Sequence, residues 1–103
     1  MSNPLQPKAA KVLQAEYEAF VVIATGTTRS GIMDIVACIK GRFYGFEIKW
    51  KNDVPSELQK QKINALIDAG GRGYFVRSID ELRAILDNDL EPWKYDLKDP
   101  LFL

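Results

Sequence analysis

Apolar residues recur at Leu5, Ala9, Val12, Leu13, Tyr17 and Phe20, a spacing of three and four that predicts an amphipathic helix over residues 5–18. Pro4 and Pro7 suit such a helix only at or before its first turn. Residues 19–25 are a short continuous apolar run, read as a buried strand, and residues 26–31 form a loop by composition. Two β-branched and aromatic runs around Lys40 and Gly41 predict a hairpin over residues 32–50. The clearest helix spans residues 55–71. Ser56-x-x-Gln59 is a capping box, Leu58, Ile63, Leu66 and Ile67 form the apolar stripe, and Gly70 with Gly71 ends it. Residues 73–77 read as a fourth strand, and Ser78-x-x-Glu81 caps a last helix running through Leu82 and Ile85 to about Leu86. The order is α-β-β-β-α-β-α. The strand–helix–strand unit over residues 43–77 implies a right-handed crossover, hence a mixed α/β sheet with helices covering it and apolar character on both faces.

The hairpin carries the chemistry. Gly41 supplies the positive φ that a tight two-residue loop needs, and with Lys40 and Gly41 as that loop, residues whose numbers sum to 81 face each other. Asp34 then lies opposite Glu47, and alternation puts Lys49 on the same face as Glu47. Two acids directly across a ladder have Cβ atoms about 5 Å apart and repel by a few tenths of a kcal/mol or more. A divalent cation between them removes that penalty, and oxygen ligands suit Mg²⁺ or Mn²⁺. An ion pair of Glu47 with Lys49 alone leaves Asp34 unexplained.

Composition narrows the chemistry further. The chain has 103 residues, 47% hydrophobic and 27% charged, the size and make-up of one globular domain. No apolar run approaches the ~18 residues of a membrane span, and the N-terminal stretch lacks the apolar core of a signal peptide. The lone Cys38, between Ala37 and Ile39, excludes a disulfide framework, fits a reducing cytoplasm, and reads as a buried small hydrophobe. With no histidine present, Ser-His-Asp and Cys-His catalysis and most zinc sites are excluded. Of 14 basic and 14 acidic side chains, five acids and two lysines follow Leu86, which leaves 12 basic against 9 acidic in the body. That balance permits phosphate binding.

Gly31-Ile-Met-Asp34, twelve intervening residues, then Glu47-Ile-Lys49 resembles the PD-(D/E)xK nuclease signature. With Gln59, the Gly70–Gly71 helix end, the following strand and Ser78-x-Asp-Glu81, the stretch from Arg29 to Ile85 looks like the VRR-NUC family, the virus-type replication-repair nucleases. The resemblance implies a restriction-endonuclease-like αβββαβ core, with residues 1–88 as one nuclease domain and 89–103 as a tail. It implies Mg²⁺- or Mn²⁺-dependent hydrolysis of DNA phosphodiester bonds, with Asp34, Glu47 and the Ile48 carbonyl as metal ligands. Lys49 would orient the attacking water or neutralise developing charge, and Gln59 would support Lys49, although a capping box also requires a Gln there. Arg29, Ser30, Lys51 and Lys60 are the candidate DNA contacts, Lys60 fitting a solvated helix position as well. Met33 stands where the family usually has proline, and Asn3 and Gln6 occupy the region where relatives often carry an acid on the first helix.

The expected protein is therefore a phage-encoded, cytoplasmic endonuclease selective for branched DNA such as a Holliday junction. The alternative is a catalytically silent DNA-binding or assembly module that keeps the fold. A junction has pseudo-twofold symmetry, and the tail carries Trp93, Tyr95, Leu101, Phe102 and Leu103, so a homodimer using these residues is expected. Folding of the tail back over its own domain is the competing expectation.

Overall fold

The computed structural model describes residues 3–24 and 33–97. Its elements follow the predicted order: α1 (Leu5–Tyr17), β1 (Phe20–Ile23), β2 (Ile35–Ile39), β3 (Arg42–Ile48), α2 (Glu57–Asp68), β4 (Arg72–Val76) and α3 (Ile79–Asp87). The strands form one sheet in the order β1-β2-β3-β4. The first two pairings are antiparallel and β3 pairs with β4 in parallel, the mixed sheet that the crossover requires.

Local chemistry explains the boundaries. Lys40 and Gly41 have φ of 49° and 84°, the double left-handed geometry of a two-residue hairpin turn. The β2–β3 register that follows is Ile35↔Phe46 through Ile39↔Arg42, each pair summing to 81. In α2 the Ser56 hydroxyl accepts the Gln59 N–H and the Gln59 side chain accepts the Ser56 N–H, closing the capping box. The helix ends at Gly70, whose φ of 99° disfavours any residue with a Cβ.

Register assigns the two faces. Ile35, Ala37, Ile39, Tyr44, Phe46, Ile48, Tyr74 and Val76 point one way and form the main core with Leu5, Ala9, Leu13, Leu82 and Ile85 of α1 and α3. Tyr44, Phe46 and Tyr74 stack in a row there, with centroids 5.7–6.3 Å apart. The opposite face carries Phe20, Val22, Cys38, Phe43, Gly45, Glu47 and Phe75, and α2 lies against it over β3 and β4. A Cβ on Gly45 would come within 2.8 Å of Leu66 of α2, so the glycine is what lets helix and sheet approach.

Two expectations about this second face are overturned. The run at residues 19–25 does not become a buried strand: β1 is an edge strand, and Phe20 is 72% and Val22 52% exposed. Cys38 is likewise exposed, because its cross-strand neighbours are Phe20 and Phe43 on the part of the face that α2 does not reach. The sheet is thus covered over most of one side by α1 and α3 and only half on the other.

The tail folds back on its own domain as far as it is described. Asn64 of α2 donates to the Tyr95 carbonyl and accepts the Tyr95 N–H, both at 2.8 Å, and the Tyr95 ring meets Phe75 edge-on. Trp93 stays 60% exposed beside it. Leu101, Phe102 and Leu103 lie outside the described residues. The acids that follow α3 neutralise the hairpin end of the sheet: Asp89 pairs with Arg42 and Arg72 at 2.6 and 3.1 Å.

Candidate active site

The site forms where β2 stops and β3 continues. Asp34 lies one residue before β2, and extending the register by one pair places it opposite Glu47. Its main chain leaves the ladder there and its side chain takes over: Asp34 Oδ2 accepts the Ile48 N–H at 2.8 Å. On the other side of β3 the parallel ladder runs on by one residue, with Lys49 N–H donating to the Val76 carbonyl at 2.8 Å. β3 is therefore held by main chain toward β4 and by a carboxylate toward β2. That local opening gives two acids and a lysine room in a sheet otherwise closed by main-chain bonds.

Glu47 is 1% exposed and Lys49 8%, and they are the two buried charged residues among those described. Lys49 Nζ donates to Gln59 Oε1 at 3.0 Å, and Gln59 Nε2 reaches Glu47 Oε1 at 3.5 Å. Gln59 Oε1 is also the acceptor of the capping box. One side chain thus caps α2 and accepts the Lys49 ammonium. Glu47 Oε2 is buried with no hydrogen-bond partner. Burial, reinforced by the charge of Asp34, pushes the Glu47 carboxyl up to about 8.

An orphaned carboxylate oxygen facing a second carboxylate is costly unless a cation or a proton sits there. The donor set, two carboxylates and the adjacent Ile48 carbonyl, is hard oxygen and fits Mg²⁺ or Mn²⁺. Among the described residues no group of three or more His, Cys, Asp or Glu side chains gathers to hold a metal.

Of the expected DNA contacts, Lys51 occupies the turn just past the site, its φ of 56° and its Nζ 5.5 Å from the Trp50 ring centroid. Asp53 closes that turn on Trp50, and Arg77 at the end of β4 braces it by donating to the Asp53 carbonyl at 2.9 Å. Lys60 is paired with Glu57 at 3.3 Å on the first turns of α2. Arg29 and Ser30 lie outside the described residues.

Sequence reasoning noticed Asn3 and Gln6 only as departures from a family pattern. The structure brings both to the site as amide donors, Asn3 Nδ2 to the Ile48 carbonyl at 3.0 Å and Gln6 Nε2 to the Asp34 carbonyl at 3.0 Å. A polar amide at the start of an otherwise apolar-patterned helix was the available signal. Arg77 was missed as a brace, since nothing in a strand-end arginine distinguishes it.

The fold is a four-stranded mixed sheet flanked by helices, of restriction-endonuclease-like architecture, with Asp34, Glu47 and Lys49 at the splayed end of its central hairpin. No family model matches the sequence, and no curated protein matches it. Among solved structures the chain is similar to a VRR_NUC domain, with a TM-score of 0.65 at 18% identity over 82% of this chain and 97% of that one. The chain has the VRR_NUC fold.

Proposed function

We propose that the protein is a metal-dependent DNA endonuclease selective for branched DNA. The observation that carries the reading is the buried Glu47 carboxylate, one oxygen unpartnered, beside Asp34 and within the same hydrogen-bonded cluster as Lys49 and Gln59. Asp34, Glu47 and the Ile48 carbonyl would hold Mg²⁺ or Mn²⁺. When bound, such an ion supplies Lewis acidity to a phosphate oxygen and lowers the pKa of the attacking water. Lys49, held by Gln59, brings a positive charge to where the phosphorane oxygens gain negative charge, and its ammonium is pre-oriented because it is buried and bonded. Lys51, whose Nζ lies over the Trp50 ring, would meet the DNA backbone, and Arg29, Ser30 and Lys60 would complete the contacts.

The VRR_NUC fold supports a role in phage DNA replication, recombination or repair inside the host cell, with Holliday junctions or flaps as substrates. The core accounts for nearly all of the described chain and leaves no element to read base edges in a groove, which favours recognition of shape over sequence. Among the described residues no helix is long and apolar enough to cross a membrane. A homodimer matches a twofold substrate, and exposed Trp93 in the tail offers it a contact.

The test is cleavage of junction, flap and duplex DNA with Mg²⁺ or Mn²⁺ by the wild type and by Glu47→Ala. Metal-dependent cutting lost in the variant is expected. No cutting by a folded wild type that still binds junctions would establish the silent DNA-binding module instead.

A further inference from the structure

The geometry points to Asn3 and Gln6 as positioning residues that set the spacing of the Asp34–Glu47 pair by clamping the main chain on either side of it. This inference rests on the two-carboxylate reading of the site. Glu47 and Asp34 ride on different strands, and at their level the main-chain ladder between β2 and β3 has ended. Something else must hold the two arms at a fixed distance.

The N-terminal end of α1, with Asn3 just before it and Gln6 in its first turn, does so through a closed ring of hydrogen bonds. Asp34 Oδ2 accepts from Ile48 N at 2.8 Å, and the Ile48 carbonyl accepts from Asn3 Nδ2 at 3.0 Å. Asn3 Oδ1 accepts the Leu5 N–H at 2.9 Å, which locks the amide to the start of α1. One residue further on, Gln6 Nε2 donates to the Asp34 carbonyl at 3.0 Å and to the Ala24 carbonyl at 3.3 Å, returning the ring to its origin. The Asp34 carbonyl also accepts the Ala24 N–H at 3.0 Å, so the end of β1 is drawn into the same ring.

The ring has no slack. Leu5, Ala9 and Leu13 bury α1 against the sheet, so the two amides are presented by a body that cannot drift. Both donors are neutral, and a carbonyl oxygen has two lone pairs, so Ile48 can keep its bond to Asn3 and still face a cation. Groups that orient ligands in this indirect way typically change metal affinity ten- to a hundredfold when removed.

The experiment uses the full chain, with Asn3→Ser, Gln6→Met and, as a control elsewhere on α1, Tyr17→Phe, which removes the 2.7 Å bond to Asp87. Asn3→Ser keeps an acceptor for the Leu5 N–H and loses the reach to Ile48; Gln6→Met keeps the volume and loses the donor. Two readouts are taken: Mn²⁺ affinity by calorimetry, with Glu47→Ala as the blank, and hydrogen exchange of the Ile48 amide without metal. Both clamp variants are expected to bind Mn²⁺ about tenfold more weakly and to exchange Ile48 about tenfold faster, while Tyr17→Phe changes neither. Where the wild type binds Mn²⁺, unchanged affinity in both clamp variants overturns the inference, whatever Ile48 does. If the wild type binds Mn²⁺ no better than Glu47→Ala, the metal reading fails. The clamp is then judged on exchange alone, and it stands only if Ile48 is deprotected in both clamp variants and not in the control.

Discussion

Replacing Glu47 by glutamine should stabilise the metal-free protein at pH 8 while abolishing its response to Mn²⁺. The carboxyl has a pKa of about 8 in the folded chain against 4.5 for an ordinary glutamate, because it is 1% exposed and faces Asp34. The folded state therefore binds this proton more tightly than the unfolded chain does. The stabilisation is complete below pH ~4.5 and is lost as pH rises toward 8. At ~1.4 kcal/mol per pKa unit, the interval from 4.5 to about 8 sets an upper limit of ~5 kcal/mol, and water entering around the ionised group leaves an expected loss of ~2–4 kcal/mol.

The window is unusually clean. The chain has no histidine, and ordinary carboxylates have finished titrating by pH ~5.5, so the slope between pH 5.5 and 8 belongs largely to Glu47. Urea unfolding in EDTA at half-unit pH steps measures it. Wild-type stability should fall across the window, whereas Glu47→Gln should be flat and exceed the wild type at pH 8 by ~2–4 kcal/mol. Mn²⁺ at a hundred times its Kd should restore ~2.7 kcal/mol to the wild type, with tighter binding at pH 8 than at pH 6, since the ligand must be deprotonated. A wild-type profile that is level or rising from pH 5.5 to 8, or a glutamine variant less stable than wild type at pH 8, would refute the assignment of a protonated Glu47 with one unpartnered oxygen.

Three further outcomes follow from the same geometry. Ser56→Ala should cost ~1 kcal/mol by urea unfolding yet leave DNA cleavage intact, whereas Gln59→Ala should cost a similar amount and also slow cleavage roughly ten- to a hundredfold, because Lys49 loses its acceptor; equal cleavage by the two variants would reduce Gln59 to a cap. Gly45→Ala should lower stability by ~1–3 kcal/mol in a thermal melt, since the new Cβ would collide with Met33 Sδ and with Leu66 Cδ2. Light scattering at micromolar concentration should give a dimer mass that falls to the monomer when the chain is cut before Trp93; a monomer mass for the full chain would refute this, and so would a dimer indifferent to the deletion.

The parts of the fold that a reader of the sequence can see are those fixed by neighbours. Two residues with positive φ at Lys40 and Gly41 leave one register, and that register alone carries Asp34 to Glu47. The capping box of α2 is likewise local, and it delivers Gln59 to Lys49 at no extra sequence cost. Placement within the sheet is a different matter. A four-residue apolar run such as β1 announces a strand, but whether it is central or at an edge depends on the order of strands far away in the chain. Cys38 shows the same limit at one residue: alternation gives its side a face, and only the reach of α2 decides whether that face is covered. The bonds from Asn3 to Ile48 and from Gln6 to Asp34 span 45 and 28 residues, beyond any periodicity or cap rule.

The strand that carries the costly carboxylate also carries the most apolar part of the core, and the alternation of β structure makes this possible. Phe46 and Ile48 flank Glu47 in sequence and point to the opposite face, where Phe46 is fully buried between Tyr44 and Tyr74. Burial of those side chains offsets several kcal/mol at ~1.5–3 kcal/mol each, so β3 stays in place whether Glu47 is protonated, ionised or bound to a cation. A site on a loop would relax to hydrate its carboxylate. Here β4 on one side, α2 above and the Asn3 amide on the neighbouring Ile48 carbonyl keep Glu47 in place. Once ionised, the group stays buried and poorly solvated, and on the proposed reading of the site that would make it a strong ligand for a hard cation.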